Sequence, residues 1–300
     1  MNLFEESENV VIFKVDEEGL DLEEFLSSND ISGRLFRKLY KAKNIYVNGK
    51  FRRKRLILEK GDIVSIYMED EDENTTPEKM DINIVYEDFD LLILNKQPNI
   101  VVHPTKSHQE NTLSNGIAYY FKEKGIKKKI RFVNRLDMNT TGILIVAKNS
   151  FAHQQMALQF ESNKVEKKYQ AIVDDIVEKD EDYIDLPIGR EEEKSIIKIV
   201  IEEGQDALTK YNVLERYKDA TLLDVQIFTG RSHQIRVHLN HIGHPIIGDS
   251  LYNEESLYID RQALHSYYLK VKHPRTKEDI EFIAPLPRDM EKLIKHLKNK

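Results

Sequence analysis

The sequence contains no cysteine, which excludes disulfide bridges, cysteine metal ligands and a cysteine nucleophile. No apolar run approaches the roughly 20 residues of a membrane-spanning helix, and the acidic opening MNLFEESENV does not resemble a signal peptide. With 40% hydrophobic and 32% charged residues among 300, the composition fits a globular protein large enough for two domains. We therefore expect a cytoplasmic protein that has no membrane partner.

Motifs of several enzyme classes are also absent. The chain has no P-loop, no dinucleotide-binding glycine loop and no G-x-S-x-G nucleophile elbow. Four histidines crowd one stretch, but none forms a zincin-type pair four residues apart on a helix with a glutamate base. These histidines are His233, His238, His241 and His244. We predict surface or capping roles for them, and neither a metal nor a cofactor.

Acidic residues are in excess overall, yet the charges are unevenly spread along the chain. The net charge of −7 would argue against a nucleic-acid partner if it were uniform. Residues 1–30 carry ten acids and one lysine, whereas residues 31–60 carry eleven Lys and Arg and a single Glu. Such asymmetry favours a basic surface aimed at a phosphate backbone.

The basic segment belongs to a predicted small α/β unit. Leucine and phenylalanine spacing predicts one short helix from Leu20 to Leu26, and Ser32 is placed to cap a second. The pair Asn48-Gly49 predicts a tight hairpin, and residues 56–58 and 63–67 are predicted to be closing strands. The order of these elements over residues 20–67 resembles the alpha-L RNA-binding module. The basic face predicted to bind RNA comprises Arg34, Arg37, Lys38, Lys41, Lys50, Arg52 and Arg53.

An acidic, polar run without apolar periodicity follows this unit and is typical of a linker. We accordingly predict an RNA-binding domain at residues 1–68, a linker at 69–81 and a catalytic domain at 82–300.

The large domain contains four stretches with more polar side chains than their apolar settings require, at residues 95–105, 133–142, 166–173 and 229–249. In the second stretch, a charged pair flanks Leu136 immediately before a Thr-Thr-Gly turn and a buried strand. Burying a charged side chain there destabilises the folded state unless the charge is paired, and an unpaired charge points to a functional role.

The flanking acid, Asp137, is open to two interpretations, a turn residue or a nucleophile. Tyr169, on an alternating strand, is likewise either a core residue or a functional one. Arg231 follows a glycine turn at the start of a helix that we predict Ser232 to cap. A cation gains nothing from the dipole at that position, so Arg231 is expected to serve a neighbouring anion, with Asp137 the candidate.

Five segments of the chain resemble, in order and spacing, the motifs of RluA-type pseudouridine synthases. The segments are RLDMNTTG, KKYQAIV, TGRSHQIRVH, GHPIIGD and RQALHSYYL. The resemblance covers roughly residues 80–287 and is especially close to ribosomal large-subunit enzymes that carry an N-terminal RNA-binding module. It implies an α+β fold with a mixed, mainly antiparallel sheet. It also implies an isomerase that flips a uridine out of RNA and rejoins the base to the ribose through ring carbon five, without a cofactor.

The resemblance further implies roles for individual residues. Asp137 would be the nucleophile, Tyr169 would stack on the uracil, and Arg231 would pair with Asp137, with Arg236 the alternative partner. Asn134 and Thr141 stand where the family usually has His and Ser. The residues implied to bind substrate are Arg135, Leu264, Arg236, His233 and Gln234.

We predict a monomer whose partner is RNA, either ribosomal RNA or transfer RNA. Two rival hypotheses remain at this stage. One is a non-catalytic RNA-binding factor in ribosome assembly that retained the fold, and the other is a metal-dependent RNA enzyme, which a chelator would inhibit.

Overall fold

The computed structural model describes residues 2–104, 109–192 and 195–300, so Thr105, which ends the polar stretch 95–105, lies outside the described residues. Within these ranges the chain forms a small N-terminal unit and a larger unit of mixed helices and strands. No helix among the described residues is both long and apolar enough to cross a membrane.

The N-terminal unit is a four-stranded antiparallel sheet with two helices. Ser32 caps the second helix by accepting a hydrogen bond from the Leu35 amide at 3.2 Å, as predicted. Residues 56–58 form no strand, contrary to prediction, and the sheet instead closes with an N-terminal strand that the sequence analysis missed. In chain order the elements are β1 (Val10–Lys14), α1 (Leu22–Ser28), α2 (Gly33–Lys41), β2 (Ile45–Val47), β3 (Lys50–Phe51) and β4 (Ile63–Tyr67), and the sheet order is β1-β4-β2-β3.

The larger unit is built on a ten-stranded sheet, which confirms the α+β prediction. Among the described residues the pairing of β8 with β15 is parallel and the other pairings are antiparallel. The elements are β5 (Ile84–Glu87), β6 (Leu91–Lys96), α3 (Leu113–Lys124), β7 (Arg131–Phe132), β8 (Thr141–Ala147), α4 (Ser150–Glu161), β9 (Glu166–Asp174), β10 (Glu181–Asp185), β11 (Ile188–Gly189), β12 (Ile199–Val200), β13 (Leu208–Arg216), β14 (Ala220–Ile227), α5 (Gln234–His241), β15 (Leu264–Lys272), β16 (Asp279–Ile283) and α6 (Arg288–Lys298).

The two units are packed against each other. Phe151 at the start of α4 is fully buried in the hydrophobic core of the N-terminal unit. Arg275 donates to the backbone carbonyls of Val10 and Ser7, at 2.6 and 2.9 Å, while it forms a bidentate ion pair with buried Asp90. Because apolar packing and charge-assisted hydrogen bonds act together, the interface holds the N-terminal unit on the larger one.

The predicted linker, residues 69–81, has no helix or strand, but hydrogen bonds and an ion pair connect it to the larger unit. Glu71 bridges Lys38 on α2 and Arg131 on β7, and Glu73 accepts from the Ile130 amide at 2.6 Å. The acidic residues that give the run its linker-like composition are therefore the groups that anchor it. The domain boundaries themselves remain a prediction.

The parallel contact between β8 and β15 sits at the centre of the large sheet and requires a glycine. A Cβ on Gly142 would lie 2.1 Å from the Ser266 carbonyl oxygen, and Gly142 has a φ of +112°. Only glycine tolerates both constraints. The Thr-Thr-Gly turn thus allows the two strand backbones to start side by side, and the loop that carries Asp137 lies directly before this point.

Candidate active site

A cavity of about 310 Å³ lies beside the starts of β8 and β15, and three of the four polar-rich stretches line it. It borders a second, larger cleft of about 690 Å³ along the Asp137 loop and the turn before α5. Residues lining the smaller cavity include Arg135, Asp137, Lys167, Tyr169, Arg231, His233, Gln234, Arg236 and Leu264.

Asp137 is held by an arginine on α5. Its Oδ2 accepts a hydrogen bond from Arg236 Nη1 at 3.0 Å, and about a third of its side chain remains exposed to the cavities. Arg236 is itself fixed by Asp249, whose buried carboxylate accepts from Nε at 2.7 Å and from Nη2 at 2.6 Å. Burial disfavours the guanidinium charge, yet the two carboxylates more than offset this and raise the pKa of Arg236.

The predicted pairing of Asp137 with Arg231 is therefore wrong, and the alternative partner is the one observed. Helix α5 begins at Gln234, which places Arg236 in its first turn, directed at the Asp137 loop. Arg231 stays in the preceding turn, exposed, and its Nε donates to the Asp206 carbonyl at 2.8 Å.

The start of α5 also differs from prediction. His233, not Ser232, occupies the cap position, with a left-handed φ of 58° and no side-chain capping bond. The Gln234 side chain instead stabilises the turn before the helix, because its Oε1 accepts from the Arg231 amide at 3.0 Å and from Thr229 Oγ1 at 2.7 Å. Its Nε2 donates to Leu208 and Thr209. All polar capacity of Gln234 is thus used within the protein, which assigns it to the support of the turn rather than to hydrogen bonding with substrate.

His233 lies beside Asp137 at the turn before α5. Its Nδ1 lies 2.8 Å from Tyr252 Oη, which also accepts from the Lys198 amide at 2.8 Å, so the tyrosine hydroxyl donates to Nδ1. In the neutral imidazole the proton is then on Nε2, which lies 3.9 Å from Asp137 Oδ1. Burial lowers the pKa of His233, so a neutral ring with its N–H directed at the carboxylate is the expected state at pH 7.

Tyr169 and Leu264 form the apolar wall of the cavity. Tyr169 is 8% exposed and Leu264 is 4% exposed, and both belong to one hydrophobic cluster. Burial raises the pKa of Tyr169 to about 12, to which the charge of Asp137 contributes. The phenol is therefore neutral at physiological pH, and Tyr169 contributes an aromatic side chain to the wall of the cavity.

Arg135 differs from the other cations of the site because it is exposed and forms no hydrogen bond or ion pair within the described part of the chain. It borders both cavities. A guanidinium without a protein partner at the mouth of a pocket is free to bind an incoming anion or to occupy space that a ligand vacates.

Two buried cations that the sequence analysis did not single out hold the loop after Asp137. Lys96, 1% exposed, donates to the Met138 carbonyl at 2.7 Å and to the Thr140 carbonyl at 3.0 Å. Arg261, 2% exposed, donates to the Asn139 carbonyl at 3.1 Å. Three consecutive carbonyls are thus fixed from two sides. Lys96 lies in the polar-rich stretch 95–105 and Arg261 in RQALHSYYL. The sequence therefore indicated that these two stretches are functional, but not which of their residues hold the loop.

The two departures from the family pattern have structural roles. The Asn134 amide bridges the backbone of β8, donating to the Ile143 carbonyl at 3.2 Å and accepting from the Ile145 amide at 2.8 Å. Thr141 Oγ1 lies 2.8 Å from His265 Nδ1, and His265 Nε2 lies 3.2 Å from the Ala284 carbonyl. Burial lowers the pKa of His265 to about 4, so this ring is neutral, donates through Nε2 and accepts from the threonine hydroxyl.

The predicted RNA-binding residues lie on the N-terminal unit, away from Asp137. All seven are exposed. The N-terminal unit contacts α4, which follows the end of β8, whereas Asp137 precedes the start of this seven-residue strand. Asp137 and the contact of the N-terminal unit with α4 therefore lie at opposite ends of β8.

Among the described residues, no group of three or more His, Asp or Glu side chains is arranged to hold a metal ion. The donors around Asp137 are instead arginine, lysine and histidine. They suit an anionic or carbonyl-bearing ligand.

Comparison with known proteins gives a consistent result. The family model for RNA pseudouridylate synthase matches residues 90–241. An RNA pseudouridine synthase of Bacillus subtilis, YlyB, is 39% identical over 92% of this chain and 94% of its own length. Ribosomal large subunit pseudouridine synthase D of Haemophilus ducreyi is 36% identical over 79% of this chain and 78% of its own. The structure of human RNA pseudouridylate synthase domain containing 4 aligns with a TM-score of 0.61 and 25% identity, over 72% of this chain and 93% of that one.

Proposed function

The chain belongs to the RNA pseudouridylate synthase family, and from this premise we propose that Asp137 is the nucleophile with which it converts a uridine of large-subunit ribosomal RNA to pseudouridine. The observation that carries the proposal is the position of Asp137, whose charged oxygen is held by Arg236 at the edge of a cavity walled by Tyr169. Two further cations hold its loop in place.

The reaction requires a carboxylate beside the sugar of the target nucleotide. The hydrogen bond from Arg236 fixes the position of Asp137 Oδ2 at the edge of the cavity. Because Asp249 accepts hydrogen bonds from Nε and Nη2 of the same guanidinium, Arg236 does not have to reorganise when substrate arrives. Fixing the loop carbonyls through Lys96 and Arg261 keeps the carboxylate oriented toward the cavity.

The cavity favours a single extruded nucleotide. A volume of about 310 Å³ is at the lower end of the range for ligand pockets, and a stacked base hides its glycosidic bond, so the uridine must be flipped out. Tyr169 would stack on the uracil with Leu264 packed behind it. Arg135 would enter the space that the base leaves in the RNA, and Arg231 would contact the RNA backbone near the mouth.

The proposed target is ribosomal RNA, with transfer RNA as the alternative. Relatives are named ribosomal large subunit pseudouridine synthases, and the exposed basic face of residues 31–60 supplies sequence-independent affinity for a phosphate backbone. We propose that the protein acts as a monomer, because the fold of a single chain brings Asp137, Arg236 and Tyr169 together. With RNA as substrate, we propose that the protein acts in the cytoplasm.

The experiment incubates purified protein with transcripts of large-subunit ribosomal RNA and of transfer RNAs, with and without EDTA, and maps pseudouridine chemically. We expect product at defined uridines of ribosomal RNA, unchanged by EDTA, and none with Asp137→Asn although that variant binds RNA within a few-fold of wild type. Product from Asp137→Asn above a tenth of the wild-type rate would exclude the nucleophile role. Product only in transfer RNA would replace the proposed target, and inhibition by EDTA would favour a metal-dependent reaction.

A further inference from the structure

Lys167 is a buried cation in the wall of the catalytic cavity, and none of the roles described above uses it. It is 8% exposed and lines the cavity together with Tyr169. Within the described ranges it forms no ion pair, and its single hydrogen bond, to the Thr229 carbonyl, is long at 3.5 Å. Its Nζ also lies 5.6 Å from the centre of the Phe160 ring. An ammonium has three donors, so most of the hydrogen-bonding capacity of Lys167 is unused in a place where charge is costly.

The neighbouring lysine makes the contrast clear. Residues alternate in burial along β9, so Lys167 and Tyr169 face the cavity side of the strand while Lys168 faces the other side. Lys168 forms an ion pair with Glu166 at 2.9 Å and lies over the Tyr268 ring. Lys168 is therefore compensated near the surface, whereas the charge of Lys167 is directed into the site without a carboxylate partner.

The spacing along β9 brings Lys167 within reach of a base stacked on Tyr169. Residues two apart on a strand are roughly 6.6 to 6.8 Å apart along its axis, and a lysine side chain extends over a similar distance. A base that lies on the Tyr169 ring would thus have its edge beside the Lys167 ammonium. The apolar groups nearby, Phe160 and Leu264, exclude water and strengthen a charge-assisted hydrogen bond formed there.

We propose that Lys167 is a catalytic and specificity-determining residue that donates hydrogen bonds to a carbonyl oxygen of the flipped uracil and stabilises the negative charge on the base when its bond to ribose breaks. The inference rests on the proposed function, because it assumes a uracil in this cavity.

The chemistry creates a need for such a group. When the bond between uracil N1 and ribose C1′ breaks, its electron pair stays on the base, and the charge is shared by N1, O2 and O4. Asp137 bonds to C1′ as N1 leaves, and later C5 displaces the carboxylate from C1′, the proton on C5 is lost and N1 gains a proton, so the net change is an isomerisation. A preorganised donor at O2 or O4 is worth most while the base carries charge. Burial lowers the pKa of Lys167 because its ammonium is shielded from water and has no carboxylate partner within the described part of the chain, and a negative charge on the base would supply the missing partner.

The same contact selects uracil over cytosine if it is made at position four. Uracil has a carbonyl acceptor there, whereas cytosine has an amino group that can only donate. An ammonium has no acceptor to offer an amino group, so cytosine would leave a buried charge unpaired.

The first test compares Lys167→Met with Lys168→Met, its matched control. For Lys167→Met we expect the single-turnover rate to fall by about 100-fold, while RNA affinity stays within about threefold and the thermal unfolding midpoint does not fall, because an uncompensated buried charge has been removed. For Lys168→Met we expect a rate within about twofold of wild type. Comparable rate losses in both variants, or a lower unfolding midpoint in Lys167→Met, would give the lysine a structural role and overturn the proposal.

The second test identifies the oxygen. RNAs carry 2-thiouridine or 4-thiouridine at the target position, since sulfur is the weaker acceptor. One of the two should slow the wild-type enzyme yet have no further effect on Lys167→Met, and the other should act equally on both proteins. Equal effects of each thio substitution on both enzymes would show that Lys167 touches neither oxygen. If the wild-type enzyme makes no pseudouridine in unmodified RNA, the proposed function fails instead, and the two failures are thus distinguishable.

Discussion

The positive charges of the basic segment in the N-terminal unit and those that hold the Asp137 loop in the larger unit are placed in opposite ways. In the N-terminal unit, all eleven Lys and Arg residues between positions 31 and 60 are exposed. Around Asp137, by contrast, Lys96, Arg236 and Arg261 are at most 7% exposed, and each donates to carbonyl or carboxylate oxygens at fixed distances. The same residue types form a solvated face in one unit and a rigid internal frame in the other.

The difference teaches what each set can do. Exposed charges interact through water, are screened by salt and move freely, so they suit attraction of a phosphate backbone. Buried and fully hydrogen-bonded charges are already oriented, so they suit placement of a reacting group. Substitutions should therefore change different quantities in the two regions: rate and stability around Asp137, affinity and its salt dependence on the basic face.

The largest effect is expected from Arg236→Met. Loss of this guanidinium leaves the Asp249 carboxylate, whose side chain is 1% exposed, without its bidentate partner. Removing one member of a buried pair costs about 3 to 5 kcal/mol in the free energy of unfolding. We also expect the single-turnover rate to fall by about 100-fold or more, because Asp137 loses its counter-charge. Urea unfolding and rapid-quench kinetics measure the two effects.

Two controls accompany this variant. Arg231→Met should change the free energy of unfolding by less than about 0.5 kcal/mol, since Arg231 is exposed. Adding Asp249→Asn to Arg236→Met should recover part of the stability but not the rate. A normal rate for Arg236→Met alongside an inactive Arg231→Met would reverse the assignment of the two arginines.

A smaller loss is expected from Lys96→Met, which removes the donor shared by the Gln97, Met138 and Thr140 carbonyls. The loop loses one of its two anchors, so we expect kcat to fall by about tenfold with little change in KM. Lys122→Met, an exposed residue on α3, serves as the control and should behave as wild type. A change in KM alone would mean that Lys96 affects RNA docking rather than the orientation of Asp137.

The pH dependence of the rate should also report on Lys96. Burial, together with the Arg261 charge, lowers the pKa of Lys96 to about 7. As pH rises through that value the amine loses a proton and cannot serve all three carbonyls, so the rate should decline above pH 7 by less than about tenfold, through loss of one proton. The decline should be absent in Lys96→Met. Single-turnover rates between about pH 6 and 9 give the profile.

The same ionisation has a signature in stability. The folded protein binds this proton less tightly than the unfolded chain does, so stability should increase with pH between about 7 and the unfolded value near 10.4. Below pH 7 Lys96 is charged in both the folded and the unfolded state, so the full penalty of burying its ammonium lowers the free energy of unfolding. The gap in free energy of unfolding between wild type and Lys96→Met should change across that window. A gap that does not vary with pH would show that Lys96 keeps its charge throughout.

The smallest effect on rate is expected on the basic face. Replacing Arg34, Arg37 and Lys41 by Gln should weaken RNA binding and flatten the slope of log affinity against log salt by ~0.7 to 0.9 for each phosphate group that the protein no longer neutralises. Single-turnover rates at saturating enzyme should remain near wild type. Lys292→Gln with Lys295→Gln, on exposed positions of α6, is the matched control. An unchanged salt slope would mean that the face does not bind the substrate RNA.

The role of the basic face in RNA binding could also be tested by deleting residues 1–75, but substitution of single residues is the more specific test. The N-terminal unit covers Phe151 completely and accepts hydrogen bonds from Arg275, so its deletion would expose apolar surface and leave buried donors unpaired. A truncated protein would then lose activity for reasons unrelated to RNA.

Local structure was largely predictable from the sequence because local interactions decide it. An apolar run after a glycine predicted β8, alternating residues predicted β9, the pair Asn48-Gly49 predicted the hairpin between β2 and β3, and Ser32 was correctly placed as a cap. Ser232 failed as a cap although its residue type is equally suitable. The turn before α5 is instead held by Gln234, which donates to Leu208 and Thr209 on β13, an interaction that no local pattern contains.

The residues that frame Asp137 were beyond sequence reasoning for a similar reason. Lys96 reaches the Thr140 carbonyl across 44 positions, and Arg261 reaches Asn139 across 122. The motifs indicated that these stretches are functional, but not which side chain would fold inward.

By itself the sequence determined the chemical inventory: a carboxylate, a tyrosine and arginines in motifs of one family, and a basic segment apart from them. Only the tertiary structure decided which arginine, Arg231 or Arg236, meets the carboxylate of Asp137, from which Arg236 is separated by 99 positions. The direction of a side chain depends on where its helix begins and on how that helix packs. Here the buried Asp249 fixes the Arg236 guanidinium in the core, while Arg231 remains in the solvent-exposed turn.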